Sequence, residues 1–167
     1  EWQCPQAYKR FLEDTITNNT NASREDALKK MYPDSEIAKI MLAYAKDYVL
    51  SMNEAQRYIG RGGKDPVTVR KLLNTINAAY STHQQGYERM LHDDLKGAAE
   101  SYKQSLELDG KLMPPDFPSD AAKGMRIELS SKFALKSRLY FERGRFPESF
   151  DQCAGGYDMS QSNPEVL

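Results

Sequence analysis

Apolar side chains recur at steps of three and four over most of the chain between Ser35 and Tyr140, and that spacing commits the region to helices. Ile37, Met41, Tyr44, Tyr48, Met52, Ala55 and Ile59 mark one buried face, and Gly60, Gly62 and Gly63 close it. Asp65-Pro66 restarts the chain, the Asp as a cap and the Pro at the first helical position, where its missing N–H costs nothing. Val69, Leu72, Leu73, Ile76, Tyr80, His83, Tyr87 and Met90 carry the second stripe as far as about Leu91, before a break or bend at His92-Asp93-Asp94. Leu95, Ala98, Tyr102, Ser105, Leu106 and Leu108 carry a third. The three prolines between Gly110 and Pro118 mark a non-helical connection. Ser119 then caps a fourth helix, with Ala122, Met125, Leu129, Phe133 and Tyr140 facing inward and Gly144 at its end.

No segment alternates as a strand does. The expected fold is therefore all-α: an antiparallel four-helix bundle with short terminal helices. One domain spans 1–167, with an N-terminal extension (1–34), the bundle (35–142) and a C-terminal extension (143–167). The extensions are expected to add a helix over about Pro5 to Thr15, interrupted by the Asn-rich stretch, and a short one from Pro147 to Cys153. Gly155-Gly156 should stop the latter, with a loose tail from Ser160. At 167 residues such a domain buries roughly 70% of its unfolded surface, so its core needs no disulfide.

The chain nevertheless has two cysteines, Cys4 and Cys153, near opposite ends. Bonded, they would close nearly the whole chain into one loop, worth roughly 4–5 kcal/mol in the entropy model. Asn18-Asn19-Thr20 and Asn21-Ala22-Ser23 are sequons for glycosylation at Asn18 and Asn21. The opening Glu1-Trp2, without Met, fits a processed chain. Together these features set the expectation of a secreted, extracellular protein. A net charge of −1 gives no electrostatic commitment to nucleic acid, and no apolar run approaches the roughly 20 residues of a membrane span.

Chemistry-bearing motifs are sparse. His83 lies on an apolar stripe, and His92-Asp93-Asp94 point in different directions on a helix, so no metal site is expected. Gly60-Arg61-Gly62-Gly63-Lys64 lacks the Walker spacing and follows a helix, which makes it a cap; Arg57, Arg61 and Lys64 remain a candidate anion contact beside it. No nucleophile elbow or activated-cysteine setting is present, and the expectation is a non-enzyme without cofactor. Tyr44, Tyr48, Tyr80, His83, Tyr87 and Tyr102 are the stronger lead. They fall on or beside the inward stripes, where tyrosines pack a core or line a groove or interface.

Two likenesses add to this reading. From Ile37 to about Leu139, the first helix, the Lys64-Asp65-Pro66 turn, the helix carrying Val69-Arg70-Lys71-Leu72-Leu73 and Tyr80, and the Ala98-Ala99-Glu100-Ser101 helix follow one another in a particular order. That order resembles the plant invertase and pectin methylesterase inhibitor family. The resemblance covers about three-fifths of the chain and implies a non-enzymatic inhibitor of a secreted carbohydrate-active enzyme. That family carries four cysteines in two bridges, and this chain has two cysteines. Separately, Leu95 to Asp109 is similar to the second helix of a tetratricopeptide repeat, and Tyr140 to Ser149, with Gly144-Arg145-Phe146, is similar to a repeat turn. The leading functional expectation is an inhibitor or interaction module with an extracellular protein partner. The alternative is a helical carrier of a small ligand or peptide in a groove.

Overall fold

A computed structural model describes residues 21–161. These form seven α-helices, with no strand among the described residues: α1 (Asn21–Met31), α2 (Ser35–Tyr44), α3 (Tyr48–Gly60), α4 (Pro66–Leu91), α5 (Leu95–Leu112), α6 (Asp120–Glu142) and α7 (Phe146–Gln161). The all-α expectation holds. Five helices begin on a side-chain cap: Asp34 accepts from Glu36 and Ile37 N–H, Asp47 from Leu50, Asp65 from Thr68, Asp94 from Gly97 and Ser119 from Ala122. Each cap satisfies amides that a first helical turn leaves without partners.

The helices pack chiefly on their sequence neighbours, most closely in the α4–α5 and α6–α7 hairpins. Three turns between helices contain a residue with positive φ: Gly62, Asp93 and Gly144. Small residues set the hairpin spacing. A Cβ on Gly86 of α4 would lie 2.3 Å from the Tyr102 ring on α5, and Ser105 Oγ donates to the Ala79 carbonyl at 2.7 Å. Between α6 and α7, Ser137 and Ser149 each donate a hydroxyl to the other's carbonyl at 2.8 Å, fully buried.

Several expected boundaries are corrected. The single helix over Ser35–Gly60 is two, separated by a turn at Ala45–Asp47. Tyr44 and Tyr48 are both buried on either side of that turn, so the apolar spacing runs through it unbroken. α5 continues through Gly110 to Leu112, because Leu112 and Met113 are needed in the core formed by α1 to α4. α7 passes through Gly155-Gly156 rather than stopping. There the glycines permit close approach: a Cβ on Gly155 would sit 2.8 Å from Phe133 Cε1. Ser160 is buried within α7, not in a loose tail. A helix not expected from the sequence, α1, begins at Asn21. The helix expected over residues 5–15, Cys4 and Asn18 lie outside the described residues.

Glycines in helices therefore divide by what surrounds them. Gly86→Ala is expected to lower the urea midpoint, since overpacking against Tyr102 and the Ala98 carbonyl costs about 1–3 kcal/mol. Gly124→Ala, where a Cβ meets nothing within 4 Å, is expected to raise it through helix propensity, by up to about 1 kcal/mol. Equal shifts in the two variants would contradict the packing account.

Candidate functional site

Four of the six aromatic positions singled out in the sequence converge on one cleft. Tyr80, His83, Gln84 and Tyr87 lie at i, i+3, i+4 and i+7 on α4, which places them on a single helical face. Tyr48, the first residue of α3, supplies the opposite wall, and the five residues line a cleft of about 260 Å³. Gln84 is not legible in the apolar stripe from Val69 to Met90 because it is polar and exposed. Its spacing from Tyr80 and Tyr87 was the available signal.

The rings form a connected set. Tyr48 meets Tyr44 edge-on with centroids 5.7 Å apart, Tyr80 at 5.3 Å and His83 edge-on at 5.5 Å, and His83 meets Tyr102 edge-on at 5.4 Å. Edge-to-face contacts of this kind add to the burial of the rings and fix their orientation. The Tyr48 hydroxyl and His83 Nδ1 share a hydrogen bond of 3.1 Å. Burial pushes the Tyr48 phenol up to about 12 and holds the His83 imidazole below its ordinary value, so both are neutral near pH 7. Tyr44 and Tyr102 do not line the cleft. Both are fully buried behind it, and the Tyr102 hydroxyl has no hydrogen-bond partner among the described residues.

Beneath this set lies a polar cluster that the sequence reading missed. Asp109, buried on α5, accepts the Tyr44 hydroxyl on Oδ1 at 2.6 Å and the Ser119 N–H on Oδ2 at 3.2 Å. Burial raises its carboxyl above the usual range, while the bonds from Ser119 and Tyr44 and the charge of Arg126 pull the other way. Asp109 continues the stripe of Tyr102, Ser105 and Leu106 at helical spacing, so an acid on an apolar face was the legible sign.

The candidate anion contact is partly neutralised within the chain. Arg57 pairs with Glu54 at 3.1 Å, Arg61 pairs with Glu36 at 3.0 Å and lies over the Tyr58 ring, and Lys64 is exposed. His92 caps the end of α4, its Nδ1 2.8 Å from the Glu88 carbonyl oxygen. Among the described residues, no group of three or more His, Cys, Asp or Glu side chains is placed to hold a metal ion. Likewise no described helix is long and apolar enough to cross a membrane. Cys153 is half-buried on α7, and none of the described cysteines is free.

The chain matches no family model, no curated protein and no solved structure.

The histidine in the cleft makes the fold sensitive to acid. Its folded-state pKa lies below the ordinary 6.5, so the native state binds fewer protons than the unfolded chain, and stability from this group is lost as pH falls below about that value. Urea midpoints measured from about pH 8 down to about pH 5 should fall, and His83→Gln should flatten that slope. An identical slope in the variant would contradict the assignment to His83.

Proposed function

We propose that this chain is a non-enzymatic interaction module whose aromatic cleft receives one anchor side chain of an extracellular protein partner. The observation that carries the reading is the cleft of Tyr48, Tyr80, His83, Gln84 and Tyr87, at about 260 Å³. Pockets for whole small ligands run at roughly 300–1,000 Å³, whereas interface anchors are single aromatic or aliphatic side chains. Four rings, three on α4 and that of Tyr48 opposite, suit a planar or branched apolar group. The Gln84 carboxamide and the Tyr48–His83 pair supply hydrogen-bonding groups beside it.

The serial packing of helical hairpins supports a tetratricopeptide-like scaffold for this module, in which the cleft is carried on the rigid α4 helix. Secretion, glycosylation at Asn18 and Asn21, and a Cys4–Cys153 bridge belong to the same proposal. So does the four-helix bundle of the inhibitor likeness, with a carbohydrate-active enzyme as the corresponding partner.

The test is capture from the extracellular fluid of the source with paired baits: the wild-type chain and the exposed-site variants Gln84→Ala and Tyr87→Ala. A protein retained by the wild type should bind the Tyr87 variant roughly 30-fold more weakly, as for an interface hot spot. A retained small molecule without a protein would replace the interaction module with a carrier. Digestion of the bait without reduction should recover Cys4 and Cys153 in one linked fragment. Two alkylatable thiols would remove the bridge and weaken the extracellular assignment.

A further inference from the structure

A second cleft, of about 430 Å³, lies where the end of α4 and the start of α5 meet α6. Its α6 wall repeats at helical spacing: Lys132, Leu135, Lys136, Leu139 and Tyr140 share one face, which the C-capping residue Arg143 extends to about 16 Å. Leu91 on α4 lies across from them. The three leucines are conspicuously open to solvent, Leu91 at 63%, Leu135 at 56% and Leu139 at 44%. Apolar surface gathered in this way marks an interaction site more than it marks a solvated face.

The charge around that surface is one-sided although the chain as a whole is nearly neutral. Three cations line the cleft against one carboxylate, Asp93. Asp93 accepts from Lys136 Nζ at 2.8 Å and is held at the α4–α5 turn with φ of 61°. Lys132 and Arg143 have no carboxylate partner among the described residues, and both stand beside leucines, where displacement of water would strengthen any ion pair they form.

We infer that this cleft docks an acidic amphipathic helix of a protein partner, its apolar side chains between Leu91, Leu135 and Leu139 and its carboxylates on Lys132 and Arg143. The Asp93–Lys136 pair already supplies one such contact from within the chain, so the remaining cations set the register of the incoming segment. A flat anionic membrane is a poorer match, because the leucines line a concavity between helices. The inference needs neither the aromatic cleft nor its partner.

The probe is a fluorescein-labelled helical peptide of about four turns, with Leu at every third and fourth position and Glu between. Fluorescence anisotropy should show saturable binding that weakens with salt and falls at least about tenfold in the double variant Lys132→Glu/Arg143→Glu. Both positions are exposed, and circular dichroism checks that the fold is kept. Gln84→Ala and Tyr87→Ala should leave the affinity unchanged. The inference is overturned if the peptide fails to bind, if a Gln-for-Glu peptide binds equally well, or if the charge reversal has no effect. Loss of binding in the aromatic-cleft variants would overturn it too, as would binding to phosphatidylserine vesicles in place of the peptide.

Discussion

Asp109 is a buried carboxyl, and the way its two oxygens are satisfied holds together parts of the chain that are far apart in sequence. One oxygen takes the Tyr44 hydroxyl from the end of α2, the other the backbone N–H of Ser119, the residue that caps α6. Leaving either oxygen without a donor in this setting would cost about 1–3 kcal/mol, so the three segments are fixed as a group. Other contacts converge on the same place. Tyr32 donates to the Leu112 carbonyl at 2.6 Å, Asp120 N–H to the Ala45 carbonyl at 2.9 Å, and Arg24, itself buried, pairs with Asp120 at 2.6 Å. The connection from Met113 to Ser119 is thus pinned at both ends to α1, α2 and the α2–α3 turn.

This anchoring extends into the rings of the aromatic cleft. Tyr44 touches Tyr48 edge-on, Tyr48 is bonded to His83, and His83 rests on Tyr102. The contacts run from the buried carboxyl through Tyr44 to Tyr48 and His83 in the cleft, and His83 is backed from behind by the buried Tyr102 ring. On the proposed reading, a cleft built on packed helices with neighbouring rings already in contact would give up little conformational entropy on being filled. The same coupling explains why acid should be felt here, because protonating His83 charges a half-buried ring that sits between two phenols.

Much of the fold was legible because helices announce their beginnings. Asp65-Pro66 and Ser119 cap α4 and α6 as their side chains imply. What escaped were features in which one local pattern serves two arrangements. The α2–α3 turn kept the apolar spacing in phase, so only Lys46-Asp47, with Asp47 as cap, betrayed it. Gly155 and Gly156 read as a stop, yet contact with Phe133 makes Gly155 a requirement of close packing. In the aromatic group, spacing along α4 brought Tyr80, His83 and Tyr87 together. That Tyr48 would face them depended on the unseen turn, and that Tyr44 would point inward depended on Asp109, a partner 65 residues away.

The most direct test of this account is a double-mutant cycle on Tyr44→Phe and Asp109→Asn, read by urea unfolding at about pH 7. If the buried pair organises the α2, α5 and α6 junction, the two changes should be coupled by about 1 kcal/mol or more. Effects that add to within about 0.3 kcal/mol would contradict it, and the cleft would then owe its geometry to the ring contacts alone.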